Sequence, residues 1–244
     1  MASILAVGAS SPLSQAALVK LATRGYDLCL TATTLERAQL AKNNLIHAGV
    51  NAAQLSCCDL KLPASTATLQ ELINGLPDFA GLFCAAGVYG LTLQVKKSLA
   101  VEEQIIAVNF SALVPLLRLS ANCLQARGQG LIIVIGSVAG DRGRASNYAY
   151  GAAKAALATY LTGPRQELYP HVEVIELRPG LIASRMLDGR HLPHWLISAP
   201  SCVGTALERV LTYHQGIVYC PPWWRLIMAV VKIIPERCYR RLKL

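Results

Sequence analysis

The chain has 244 residues, 53% hydrophobic and 15% charged, with a formal net charge of +9. Such a length suits one α/β domain that can bury a large core without disulfides or metal, and the apolar excess calls for an extensive interior, an oligomer interface or membrane contact. The bases are concentrated at one end, where Arg225, Lys232, Arg237, Arg240, Arg241 and Lys243 face a single acid, Glu236, so a nearly balanced body with one basic end argues against a general nucleic-acid binder.

In chain order, residues 3–8 (SILAVG) read as a buried strand closed by Gly8. Residues 14–25 read as a helix ending at Gly25, 26–32 as a second strand and 34–49 as a second helix ending at Gly49. A third strand lies within 51–60, a helix at 65–76, and a fourth strand at 79–87, closed by Gly87. Residues 98–128 form one long helical region containing Pro115, and 130–137 a fifth strand. A helix at 148–169, a sixth strand at 172–180 and a seventh at 216–221 follow. This alternation implies a single Rossmann-type, doubly wound parallel sheet of about seven strands with helices on both faces, over residues 1–222, and an apolar and basic tail at 223–244. Ligands of such sheets bind beyond the carboxyl ends of the strands, which lines up Gly8, Asp59, Gly87, Ser137 and Pro179.

Eight scattered cysteines with no C-x-x-C pair, and five dispersed histidines, read as buried small side chains in a reducing cytoplasmic compartment, without a disulfide framework or metal site. The first apolar run is a strand and not a signal peptide, and no long apolar window free of charge stands out as a membrane span.

The strongest chemical signal is YGAAK, residues 150–154. Residues four apart share a helix face, and an ammonium about 5 Å from a phenol at an effective dielectric near 20 favours the phenolate by roughly 3 kcal/mol, about two pKa units. Tyr150 is thereby expected to exchange a proton near neutral pH. Tyr148 has no lysine four residues on. Ser137 ends the fifth strand and can hydrogen-bond a carbonyl on which charge develops. Asn109 is a polar residue in an apolar helix, either a satisfied core amide or part of the site.

The glycine turn at residue 8, CDL after the third strand, CAAG, Asn109, Ser137, Tyr150-x-x-x-Lys154 and RPG occur in order. This set resembles the short-chain dehydrogenase/reductase family across essentially the whole chain. The resemblance implies that Tyr150 is the general acid in reduction and the base in oxidation. It implies that Lys154 holds the nicotinamide ribose and lowers the tyrosine pKa, that Ser137 polarises the carbonyl, and that Asn109 anchors a water in a proton relay. It also implies a nicotinamide cofactor and a homodimer or homotetramer. The family's loop T-G-x-x-x-G-x-G falls on residues 7–14, with Gly8 kept and Pro12 and Ser14 at the other two glycines. Ser10, Ser11 and Leu13, at a helix start, are the remaining donors for phosphates. Asp59 and Leu60 resemble the adenine contact. Ala85, Ala86 and Gly87 resemble the family's N-A-A-G with Cys84 in place of asparagine. Pro179, Gly180, Ile182 and Ser184 resemble the stretch beside the nicotinamide. No acid ends the second strand, where Ala32 and Thr33 stand, and Thr33, Thr34 and Arg37 are placed to meet a 2′-phosphate, so NADP is expected over NAD.

The tail opens on Trp223 and Trp224, and its apolar part is too short to span a bilayer. Two readings are balanced: an interfacial helix on anionic lipid at the inner face of a membrane, or burial against the substrate loop or in an oligomer interface. The second half resembles the decaprenylphosphoryl-keto-ribose reductase branch of the family, which implies a hydrophobic or lipid-linked ketone or alcohol as substrate. A cofactor-binding scaffold without turnover, and an NAD-dependent alcohol dehydrogenase, are the competing readings.

Overall fold

Strands β1 (Ser3–Val7), β4 (Phe79–Cys84) and β5 (Gly130–Ile135) are buried at nearly every residue, as parallel strands covered on both faces must be. The computed structural model describes residues 2–50, 54–60, 65–90, 98–187, 193–213 and 216–242. With β2 (Asp27–Ala32), β3 (Gln54–Cys57), β6 (Val172–Pro179) and the last strand β9 (Ile217–Cys220), they form one parallel seven-stranded sheet in the order β3-β2-β1-β4-β5-β6-β9. The expected strand count and doubly wound class therefore hold. The chain runs outward from β1 through β2 to β3, then returns to place β4 on the other side of β1. That reversal opens a crevice at the carboxyl ends of β1 and β4.

Helices α1 (Pro12–Thr23), α2 (Leu35–His47) and α7 (Ser201–Tyr213) cover one face, with Leu18, Leu45 and Leu207 packed in the same core as Ile4, Leu30 and Ile133. Helices α3 (Ser65–Gly75), α5 (Leu113–Arg127) and α6 (Tyr148–Glu167) cover the other, where Leu69, Leu116 and Leu157 join Leu5, Leu82 and Ile132. The expected long helix at 98–128 is broken: α4 (Leu99–Ile106) passes into a π-helical turn, Ala107–Ser111, before α5 begins. Pro115 sits in the first turn of α5, where its missing N–H costs little. The span Leu99–Arg127 is long and apolar enough to cross a bilayer, but Leu113, Leu116, Leu117 and Leu124 are buried in the sheet's core. A small parallel pair, β7 (Leu181–Ile182) and β8 (Ile197–Ser198), lies beyond β6 and was not expected.

The structure describes the tail through Leu242; Lys243 and Leu244 lie outside the described residues. Helix α8 (Trp224–Ile233) buries Trp224 and Met228 against Val138, with Ile227 and Val231 packed beside them. Full burial of each large apolar side chain is favourable by roughly 1.5–3 kcal/mol, so a solvated, disordered tail is excluded. Arg142 closes the end of α8, donating to the carbonyls of Val231 (2.7 Å) and Ile234 (2.6 Å). Its guanidinium also pairs with Glu236 at 3.1 Å and stacks 3.8 Å over the Tyr239 ring, in the short helix α9 (Glu236–Tyr239). A cation on the last carbonyls is where a helix dipole favours it. The opposite face of α8 leaves Trp223, Leu226, Val230 and Ile233 exposed, flanked by exposed Arg225 and Lys232. One face of α8 is thus buried against the body of the chain, and the other is apolar and exposed.

Candidate active site and cofactor cleft

Ser137 leaves β5 through Gly136 and caps a 3₁₀ turn, Val138–Gly140, its Oγ accepting from Ala139 N at 3.1 Å. That turn presses on α6. A Cβ on Gly140 would lie 2.9 Å from Ala155 N, and one on Gly151 would lie 2.9 Å from Ala139 O. Two glycines therefore bring the strand end and the helix close enough for the Ser137 hydroxyl to hydrogen-bond Tyr150. Lys154, one turn on, is buried; its Nζ donates to Ile135 O at 2.9 Å and lies 5.9 Å from the Tyr150 ring centroid.

Asn109 sits in the π-turn, a feature that recurs at functional sites. Its Nδ2 donates to Val88 O and Ile105 O, both at 2.8 Å, while the buried Oδ1 has no hydrogen-bond partner. A Cβ on Gly87 would lie 2.8 Å from that Oδ1 and 3.8 Å from Lys154 Nζ. Asn109 is thus more than a satisfied core amide. Its acceptor is held open toward the lysine across a glycine with no side chain to cover it.

The expected depression of the Tyr150 pKa is not what this site produces. Burial pushes the phenol up to about 12, with the Ser137 hydrogen bond opposing and Tyr89 adding to the rise. The same burial lowers Lys154 to about 8, with Cys84 and Glu176 opposing. An ammonium facing the phenol in a partly solvated medium would lower its pKa. Here the ammonium is turned to the Ile135 carbonyl and desolvation outweighs its attraction.

At the crevice, Gly8 adopts φ +81°, and a Cβ on it would lie 2.7 Å from Ala86 N. Only glycine gives both the left-handed turn and that approach. The rest of the loop differs from expectation in detail. Ser11 caps α1, its Oγ accepting from Ser14 N at 3.2 Å and lying 2.6 Å from Ser14 Oγ. The buried Ser14 donates to Gly8 O at 2.8 Å. Two serine hydroxyls thus tie the loop to itself, and the Ser11 side chain is engaged there instead of standing free for a phosphate. Ser10 is exposed, and Pro12 opens the helix. Pro12→Gly is expected to preserve or tighten cofactor affinity by fluorescence titration, since the cap and the Ser14–Gly8 tie remain; a clear loss would show the loop misread.

At the other end, Thr33 and Arg37 are exposed and joined, Arg37 Nη1 donating to Thr33 Oγ1 at 3.1 Å. Thr34 caps α2, accepting from Arg37 N at 3.3 Å, so its oxygen is already engaged. Asp59 is half-buried and Leu60 buried just beyond β3, and Cys84 is buried at the end of β4. Ala85, Ala86, Gly87, Pro179, Gly180, Ile182 and Ser184 line one cavity of about 630 Å³ with Leu13, Ser137, Tyr150 and Lys154. Ser184 Oγ donates to Ile182 O at 3.1 Å. Gly180 has a second use: a Cβ there would fall inside the Trp224 indole, so the tail docks on its bare backbone.

Burial of the tail against the substrate side was one of its two expected readings, but which of its residues enter this cavity was not foreseen. Trp224, Ile227 and Val231 of α8 line it, as do Tyr89, Arg144 and Asn147. The anchoring residues Arg142 and Arg178 also went unnoticed. The Arg178 fork meets the buried Glu176 through two bonds of 2.9 Å and Asp141 at 2.8 Å. Buried with its acids, that guanidinium is held even more firmly protonated than usual.

The residues present fit a dinucleotide: a tight glycine turn at Gly8, just before α1 and packed on the Ala86 backbone, an open acceptor at Asn109 beside Lys154, and a cavity reaching from Leu13 to Tyr150. The family model "short chain dehydrogenase" matches residues 2–192. An uncharacterised oxidoreductase of Mycobacterium tuberculosis is 31% identical over 65% of this chain and 64% of its own length. The ketoacyl reductase HetN of a Nostoc species is 31% identical over 72% of this chain and 68% of its own. Among solved structures, a short-chain dehydrogenase from Sphingobium yanoikuyae in complex with NADPH superposes with a TM-score of 0.79 at 24% identity, covering 97% of both chains. The chain belongs to the short-chain dehydrogenase/reductase family, whose members are oxidoreductases that use NAD or NADP.

Proposed function

We propose that this chain is an NADP-preferring reductase of a bulky, apolar carbonyl compound that it meets at an anionic membrane surface. The observation that carries the reading is the closure of an apolar cavity over Ser137, Tyr150 and Lys154 by the inner face of α8, whose outer face is itself apolar and flanked by bases.

In this reading Tyr150, protonated at neutral pH, gives its proton to the carbonyl oxygen as charge develops there. The Ser137 hydroxyl, which accepts from Ala139 N and hydrogen-bonds Tyr150, turns its proton to the same oxygen when the carbonyl enters. Lys154, charged below about pH 8, would hold the ribose of a bound cofactor. The open Asn109 Oδ1 takes a water that resupplies the proton through Lys154. The nicotinamide, when bound, supplies the hydride. The same groups run an oxidation, with Tyr150 as base.

NADP preference is supported by the absence of an acid at Ala32 and Thr33, and by the Arg37 guanidinium held on Thr33 at the end of β2. Arg37→Ala is expected to weaken NADPH by roughly tenfold, the scale of one charge-assisted contact, and to leave NADH unchanged. Equal loss for both cofactors in steady-state titrations would remove this reading.

A lipid-linked ketone, as in the branch that the second half resembles, suits both faces of α8. The outer face favours lipid over a second copy of the chain: pairing two such faces would bring Arg225, Lys232, Arg237, Arg240 and Arg241 against their own like charges, whereas an anionic headgroup layer attracts each base. Any homodimer or homotetramer would form elsewhere. The test is NADPH oxidation with ketones of increasing chain length, with and without anionic vesicles. Turnover that rises with chain length and with vesicles is expected; indifference to both would overturn the reading.

A further inference from the structure

Among the described residues four arginines lie about the substrate side of the cavity and β6, and three are saturated. Arg178 is held by Glu176 and Asp141, Arg142 by the end of α8 and Glu236, and Arg165 by the carbonyls of Val174 (3.0 Å) and Gly216 (3.1 Å). Arg144 differs. It lines the cavity, and its buried Nε has no hydrogen-bond partner. Among the described residues the one hydrogen-bond partner of its side chain is the Met228 thioether, 3.6 Å from Nη2. A thioether is a weak acceptor. Among the described residues no carboxylate meets this half-buried guanidinium, which is costly, and its planar fork matches an oxyacid. Asn147, three residues before Tyr150, also lines the cavity with its buried Oδ1 unpartnered. The positions expected to hold cofactor phosphates, at Gly8, the start of α1 and Arg37, belong to other elements, whereas Arg144 lies against the tail.

We infer that Arg144 is the anion subsite of the substrate cavity. The carbonyl compound carries an oxyanion, carboxylate or phosphate, which Arg144 holds while the apolar body lies along Ile227 and Val231 of α8. This rests on the apolar-substrate reading above and adds a charge to it.

The test is isothermal titration of the enzyme, saturated with NADP⁺, with three probes of one chain length: dodecanol, laurate and dodecyl phosphate, each below its micellar range. Wild type is expected to bind at least one oxyanion roughly tenfold or more tighter than dodecanol. The tighter of laurate and dodecyl phosphate names the group. Arg144→Gln is expected to bring that probe to within about twofold of dodecanol while keeping NADP⁺ affinity, which shows the fold intact; Arg144→Lys should recover part of the preference. Because the variant keeps every base of the tail, an oxyanion preference that survives in Arg144→Gln would assign the effect to the tail and overturn the subsite. Equal binding of all three probes by wild type would also overturn it while leaving the apolar cavity standing. Binding of none would remove the apolar-substrate reading, and the subsite with it.

Discussion

Tyr150→Phe is expected to lower turnover by on the order of 10²–10⁴-fold, the range a positioned general acid supplies, while leaving NADPH affinity within about twofold. The substitution removes one oxygen from a half-buried ring that packs edge-on to Tyr89, with centroids 5.0 Å apart, so the fold has no reason to change. Stopped-flow NADPH oxidation and a separate cofactor titration check the two halves. Near-wild-type turnover would end the mechanism. Parallel loss of cofactor affinity would show instead that the hydroxyl organises the cleft.

The pH dependence follows from the same burial. Tyr150 is raised to about 12 and keeps its proton across the working range, while Lys154, lowered to about 8, is charged at pH 7 and loses its proton as pH rises through 8. The reductive kcat/KM for NADPH, which reports the free enzyme, is therefore expected to be level from about pH 6 to 7 and to fall above about 8. A fall already complete by pH 7 would mean that the phenol, not the lysine, carries the titration.

The sheet and the grouping of Ser137, Tyr150 and Lys154 at its edge were legible because each is written in local pattern. Short apolar runs closed by Gly8 and Gly87, and a tyrosine and lysine four apart, need no knowledge of distant residues. What was not legible depends on long-range packing. Asn109 is polar in an apolar helix, but only the assembled fold shows the π-turn and the glycine that leave its Oδ1 open. The spacing of Tyr150 and Lys154 gave their adjacency and missed their energetics, because the Ile135 carbonyl that takes the ammonium lies nineteen residues away. RPG matched a family stretch, yet nothing local says that Gly180 is bare so that Trp224, forty-four residues on, can rest against it. Arg142 and Arg144 look like ordinary loop charges until α8 arrives beside them.

The second large effect concerns that helix. Leu226→Gln with Val230→Gln is expected to lower partitioning onto anionic vesicles by on the order of 100-fold, taking roughly 1.5 kcal/mol for each aliphatic side chain withdrawn from lipid, while a small water-soluble ketone is reduced at the wild-type rate. Both residues are strongly exposed, at 73% and 59%, on the face turned away from the cavity. Deleting the tail outright is a poorer probe, because it would also strip Trp224 and Met228 from Val138 and open the cavity wall. Raised salt should weaken wild-type binding through screening of Arg225, Lys232 and the bases beyond. Vesicle co-sedimentation of wild type and variant at low and high salt, paired with the soluble-ketone assay, separates the outcomes. Unchanged sedimentation in the variant would place the docking surface elsewhere, and lost soluble turnover would mean that the outer face supports the cavity and does not merely deliver the protein to lipid.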